Sequence, residues 1–306
     1  MIRLTWNGAD ITGYCNITGC IHREAAGGKS DTLELQLDRA ATWYRWGPEE
    51  GDVISVDLDE YTTGDLYLTA VIPNGDQYRL IASGMKNGAT RKAWGSFENK
   101  TFKEIFDRCA AECGMTGKIY GMDERLLIPY CLRKNEGAAG FLNRIAEMEG
   151  FKLKTWNGAL KAIYLPWAEE QEPALSMAID AKTSGMTYRR RKNAMWAGLT
   201  VKSPFASSFA RDAGVSGNNA PVITTLPAQS AAQAGRWARN LLREHNRKAE
   251  ELRIDQRLNA KMGALIRIDI TGETDMSGAW IVEEAEHDLL HKSSSALLYR
   301  VRDTIR

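Results

Sequence analysis

Four histidines, five cysteines and several paired carboxylates are the first groups to test for chemistry in this 306-residue sequence. His287-Asp288-Leu289-Leu290-His291 sets two imidazoles four residues apart, the spacing that puts two zinc ligands on one helical face. Asp288 stands where the zincin pattern has Glu, and its shorter side chain alters the reach to a metal-bound water. The segment also follows Trp280-Ile281-Val282, the pattern of a strand entering a turn, so His287 is expected as an ordinary surface or sheet-edge histidine. Cys109 and Cys113 also stand four apart, with Cys131 the obvious third thiol. A structural metal needs a fourth ligand, and cysteine is among the most buried residue types, so core packing is the reading. Asp57 and Asp59 would share a strand face, whereas a glycosidase needs two carboxylates across a cleft. No Gly-x-Gly-x-x-Gly follows a strand, and no Walker pattern occurs. These residues therefore predict no enzyme, no metal and no cofactor.

Charge is the more informative pattern. Glu49, Glu50, Asp52, Asp57, Asp59, Glu60 and Asp65 follow one another with no Lys or Arg between them. Arg189, Arg190, Arg191 and Lys192 form the opposite run. A solvated face accounts for either; the sharper reading makes both strips candidates for protein–protein interfaces. Trp196 near the basic run, and a helix carrying Arg236 to Lys248, also raise nucleic acid. Forty Lys plus Arg against 39 Asp plus Glu leave a net charge of +1, not the field of a tight DNA binder.

The elements that must carry these residues are legible from periodicity. Leu33, Leu35 and Leu37 alternate with polar residues, and Val53–Leu58, Leu66–Ile72 and Tyr78–Ala82 give further strands, with a tight turn at Asn74-Gly75-Asp76. From Asn99 to Gly114, Phe102, Ile105, Phe106, Cys109 and Cys113 recur at helical spacing. Ala138–Met148 is a second helix, stopped at Gly150, and a hairpin follows through Phe151–Lys154 and Leu160–Leu165. Residues 166–173 are polar and turn-like and mark a boundary. Gly185–Lys192 and Ala194–Val201 are candidate strands, and residues 203–224 are expected as a long exposed loop. A helix over 228–251 and strands near Leu252, Leu265, Trp280 and Ala296 complete the chain. The class is α+β, mainly β: a strand-rich region over 1–94, an α/β module over 95–168, and a second strand-rich region over 169–306. A duplicated barrel interrupted by an insertion fits this order. The polar N-terminus has no signal-peptide core, and no apolar run is long enough to cross a bilayer, so folding in a cytoplasm without a membrane partner is expected. The odd cysteine count fits a reducing compartment.

Several segments resemble the phage late control D family, the baseplate hub proteins of contractile tails. Trp94-Gly95-Ser96-Phe97, followed by Lys100-Thr101-Phe102 and Ile105, is similar to the family's Ser-aromatic…Lys-Thr-hydrophobic…Ile segment. Asn135 to Ala146, with Phe141-Leu142-Asn143-Arg144-Ile145-Ala146 at its end and Gly150 closing it, resembles the family's Phe-Leu-x-Arg-Leu-Ala segment. Gly137-Ala138 replaces the usual Ser-Asp, so the helix is expected to start through Asn135 or later. Gly278-Ala279-Trp280-Ile281-Val282, with His287 beyond it, resembles the closing Gly-x-Trp stretch, and the helix around Ala231–Arg247 matches the helix before the last strands.

The resemblance implies two tube-like β-barrel domains, the second over 169–306, around an inserted module over 95–168. It implies a structural homotrimer adapting a sixfold tail tube to a threefold central spike. Its partners would be that spike, the tail tube or tube-initiator protein and other baseplate proteins, with DNA only as passing cargo. Its place would be a virion baseplate or a bacteriocin-like particle assembled in the host cytoplasm. The competing class is a tail-associated cell-wall hydrolase or carbohydrate-binding module, for which Glu136 and Glu147 would be the acids to test.

Overall fold

The computed structural model describes residues 1–38, 47–122, 125–179, 184–272 and 274–306. The first region is antiparallel throughout. It comprises β1 (Arg3–Trp6), β2 (Ala9–Asp10), β3 (Asn16–Ala25), β4 (Thr32–Asp38), β5 (Val53–Leu58), β6 (Tyr61–Thr62), β7 (Leu66–Asn74) and β8 (Gln77–Ser83). Strict alternation makes β4 a strand with one wet face: Leu33, Leu35 and Leu37 are buried, while their neighbours are not.

The middle region begins with β9 (Lys92–Thr101), α1 (Phe102–Glu112), β10 (Thr116–Tyr120) and β11 (Leu127–Gly137). It continues with α2 (Ala138–Met148), β12 (Phe151–Trp156), β13 (Ala159–Tyr164) and α3 (Leu165–Glu170). The first helix starts at Phe102 rather than Asn99, because residues 92–101 extend as β9 against β11. Thr101 then closes a capping box with Glu104. The second helix starts at Ala138 from Gly137, which offers no side-chain cap; a Cβ at Gly137 would lie 2.8 Å from the Ala89 carbonyl. Close backbone approach, not capping, selects glycine there. Residues 166–173 are not simply a turn either. Pro166, sitting in the first turn of α3, is compatible with a helix start.

The last region holds β14 (Leu175–Ala178), β15 (Met186–Arg190), β16 (Gly198–Lys202), β17 (Ser207–Arg211), β18 (Val222–Ile223) and α4 (Ala231–Arg247). It ends with β19 (Glu250–Arg257), β20 (Arg267–Thr271), β21 (Gly278–Asp288) and β22 (Ser293–Arg300). Residues 203–224 are therefore not a bare loop. They contribute β17 and β18 to a three-stranded sheet around β16. The composition rich in Ser, Gly and Ala hid strands that bury only Ala210 fully. The long helix is shorter than 228–251, beginning after the Ser230 cap and ending at Arg247.

Strands from the first and last regions join in one 14-stranded sheet, ordered β15-β19-β22-β21-β3-β4-β8-β7-β5-β1-β2, with β6 on β5, β20 on β21 and β14 on β20. Among the described residues the ladder between the two halves is β3 against β21, and no sheet closes on itself. Each half has its own core: one around Leu4, Leu35, Val56 and Leu68, the other around Leu252, Ile268, Trp280 and Leu298. A third core belongs to the middle. Phe102 stacks on Phe151 at 4.4 Å and Phe97 on Phe141 at 5.5 Å between ring centroids. Leu199 and Val201 of β16 and Ala234, Ala238 and Leu242 of α4 pack into this same core.

Candidate assembly surfaces and the buried charge network

The acidic strip follows β5 and the loops at its two ends. Asp52 is committed to local geometry, accepting from Asn7 Nδ2 at 2.9 Å and from the Glu49 amide at 2.9 Å. Asp57 is half-buried and faces Arg3 and Thr62 in the ladder. Asp59, held at φ 54°, meets Lys292 at 3.2 Å. The Asp65 amide donates to Asn157 of the middle module at 2.8 Å. Glu49, Glu50, Glu60 and Asp65 expose their side chains.

The basic strip lies on β15, which ends the large sheet, and on the residues after it. Its register sets Arg189 opposite Glu251 and Arg190 opposite Glu250. Arg189 pairs with Glu251 at 2.5 Å, Arg191 with the same carboxylate at 3.7 Å, and Arg190 with Glu250 at 3.5 Å. Lys192 is exposed beyond the strand. The structure thus does not bring the two strips together within one chain. The arginines also spend part of their charge on β19: Arg189 and Arg191 on the partly exposed Glu251, pairs that each contribute only about 0.2–1 kcal/mol, and Arg190 on the buried Glu250.

The groups tested for chemistry are placed as follows. Cys109 and Cys113 are buried in the middle core, where burial pushes their thiols up to about 12 and about 11. Cys131 is half-buried, with its thiol pushed up to about 11 by burial. His291 is exposed and holds Asp288 at 2.7 Å. His287 is neither a surface nor a sheet-edge residue, because β21 lies in the middle of the sheet and its side chain is 0% exposed. Glu136 is tied to Arg144 at 2.6 Å; against the cost of partial burial, that hydrogen bond holds its carboxyl below the ordinary range. A glycosidic acid needs the opposite shift. The adjoining pocket of about 590 Å³ is mainly apolar in lining, with Leu132, Met148, Leu226 and Trp237 around it. Glu149 also lines it but is committed to Arg236 and to the Trp237 indole N–H, both at 2.8 Å. Among the described residues no group of three or more His, Cys, Asp or Glu is arranged to hold a metal. Among the described residues no helix is long and apolar enough to cross a membrane.

Sequence reasoning missed the charged seam beneath the middle module. Lys152 and Lys154, alternate residues of β12, both point inward. Lys154 reaches Glu24 at 2.7 Å and Asp31 at 3.1 Å, and Lys152 reaches Glu244 at 2.9 Å. Arg247, 1% exposed, holds Glu244 and Glu283 at 2.7 Å each and lies 5.0 Å from the Tyr299 ring centroid. Lysines on a strand signal a wet face, and their acidic partners come from β3, the residue before β4, α4 and β21, remote in sequence. No local pattern connects them.

No protein-family model and no curated protein matches the sequence. Solved structures do match. The prophage MuSo2 43 kDa tail protein from Shewanella oneidensis superposes with a TM-score of 0.73 at 14% identity, covering 98% of each chain. A tail protein from Neisseria meningitidis MC58 gives 0.77 at 9% identity, covering 99% of this chain and 97% of its own. An E. coli component of the type VI secretion system, described as similar to bacteriophage T4 tail proteins, gives 0.60 at 9% identity over 98% and 77%. The fold is that of tail proteins over nearly the whole chain, in line with the resemblance carried by the sequence.

Proposed function

We propose that this chain is a non-catalytic structural component of a contractile tail or tail-like injection apparatus, acting as its baseplate hub. The observation carrying this reading is the match to the Shewanella prophage tail protein over 98% of each chain. The ordered sequence resemblances and the lowered carboxyl of Glu136, the reverse of what a glycosidic acid needs, support it independently.

In this reading the chain works as a homotrimer. Residues 1–94 and 169–306 each supply a tube-like barrel domain around the module at 95–168, and six such domains alternate around a ring. The open ends of the large sheet support that plan, because an unpaired strand is a liability that ring closure removes. The acidic strip and the basic strip on β15 would set the order of unlike domains around the ring, an effect on specificity more than affinity. The trimer would carry the central spike below, the tail tube or its initiator above and other baseplate proteins around it, in a particle assembled in the host cytoplasm. Light scattering of the chain, alone and with the matching spike protein, tests the reading. A trimeric mass with the spike is expected; a chain that stays monomeric in its presence overturns the hub assignment.

A further inference from the structure

The ladder between β3 and β21 is five residue pairs long, from Ala25 opposite Glu284 to Ile21 opposite Asp288, and the two sheet halves on either side have largely separate cores, Leu289 and Leu258 of the last region packing into the first. Near its end His22 and His287 stand directly opposite each other, both 0% exposed, with ring centroids 6.3 Å apart. Two imidazoles cross-strand at the junction of two independently packed halves are a costly choice for a core.

Their surroundings define what a proton would meet there. From β3 come Glu24 and Cys20, from the segment after it Asp31, and from β6 Tyr61, whose hydroxyl lies 2.5 Å from His22 Nδ1. From β12 comes Lys154, bound to Glu24 and Asp31. From β21 come Glu286 and Asp288, while Ser294 of β22 meets His287 Nδ1 at 2.8 Å. His287 Nε2 lies 3.7 Å from Glu24, whose charge is already shared with Lys154. His22 Nε2 is buried without a hydrogen-bond partner. A second positive charge at either ring therefore sits beside Lys154 and the other imidazole, with Glu24 the nearest compensating carboxylate. Burial, opposed by Glu24, pushes His22 down to about 4, and His287 is lowered for the same reason. Asp31 acts in the opposite sense: burial pushes it up to about 6, so the closed seam takes up a proton there more readily and offsets part of the histidine effect.

We propose that the His22–His287 pair makes the β3–β21 seam a proton-operated joint, which opens locally in mildly acidic solution while each sheet half stays folded on its own core. An opened seam returns the imidazoles to water, where they titrate normally. A group held at about 4 when closed and at 6.5 when open raises the opening constant about 20-fold between pH 7 and pH 5, and Asp31, at about 6 closed and 3.8 open, lowers it about 9-fold, leaving a net rise of about 2-fold to which His287 adds.

Native-state hydrogen exchange on the whole chain, corrected for intrinsic rates, reads this directly. The amides of residues 21–25 and 284–288 are expected to gain opening of that order at pH 5, with β8 and β19 unchanged. His22→Gln and His287→Gln, each read against the wild type, are expected to lose their share of the response. A rise shared equally by β8 and β19, no rise at the seam, or an undiminished rise in both variants overturns the joint. Where a variant does not fold, the wild-type imidazole C2 proton of His22 decides: titration near 6.5 in the closed protein overturns it, and titration well below supports it.

Discussion

Replacing Arg247 by Met keeps the bulk of the side chain and removes one charge from a site 1% exposed to solvent. Glu244 and Glu283, each 2.7 Å from the guanidinium, then share Lys152 as their one buried cation, at 2.9 Å and 3.7 Å. Breaking a buried pair by removing one partner costs about 3–5 kcal/mol, because the orphaned charge has lost its water. Lys152, and the half-exposed Lys248 at 2.7 Å from Glu244, place the expected loss near the lower bound, about 3 kcal/mol. Urea unfolding followed by tryptophan fluorescence, with an m-value near the top of the usual range, would show a midpoint lower by roughly 1 M. The double variant Arg247→Met, Glu283→Gln leaves one buried carboxylate, Glu244, opposite one buried cation, Lys152, and is expected to recover most of the loss. The deficit of the single variant also has a pH signature. Burial opposes ionisation of Glu244, but Arg247 and Lys152 hold its carboxyl well below 4.5, so its contribution is complete above that pH and is lost as the pH falls further. The single variant is therefore expected to approach wild-type stability in acid. A loss below 1 kcal/mol at pH 7, or a double variant no better than the single one, would refute the idea that this charge holds its neighbours in place.

Phe141→Ala empties a 0% exposed position stacked on Phe97 and is expected to cost about 3–5 kcal/mol in the same unfolding assay. Thr101→Ala removes the arm of the α1 capping box in which the Glu104 amide donates to the hydroxyl, keeps the arm in which the Thr101 amide donates to the Glu104 carboxylate, and is expected to cost about 1 kcal/mol, with the fold unchanged by circular dichroism. Gly150→Ala forces a side chain to φ 86° and against Asn240, which holds the Met148 carbonyl at 3.0 Å; a loss of about 1–3 kcal/mol is expected from thermal unfolding. Reversing Arg189, Arg190 and Arg191 to Glu sets three acids beside Glu250 and Glu251 and is expected to weaken assembly with the spike in light scattering. Adding Glu251→Lys restores a pairing within the chain, so assembly that stays weak assigns the strip to contacts between subunits, and full recovery assigns it to β15 alone.

Local order was legible where one residue's environment follows from its neighbours. The leucines of β4, the apolar stripe of α1 and the span of α2 all follow from spacing, since burial there has the period of the element itself. The missed strands show where that logic stops. β3 carries His22 and Glu24 inward, so its inner face does not look apolar, and β9 exposes Trp94 and Lys100 together on one side. The candidate interface residues were legible as charge, but not their company. Nothing near Arg189 announces Glu251, 62 residues away, as its partner across a strand pair. The same holds for His287, whose buried setting is made by β3, β6 and β22.

The pairing of β3 with β21 has a consequence for how the chain is made. Arg23 and its partner Glu286 are 263 residues apart, although the first eight strands already have a complete core among themselves, Leu289 and Leu258 aside. At synthesis rates of about 5–20 residues per second, β3 leaves the ribosome roughly 10–50 seconds before the strand that covers its second edge. For that interval a folded N-terminal half presents an open, partly apolar edge to every other nascent copy on the same message. The charges on that strand, Arg23 and Glu24 among them, then act as gatekeepers against premature pairing between copies before they serve as ion-pair partners in the finished sheet.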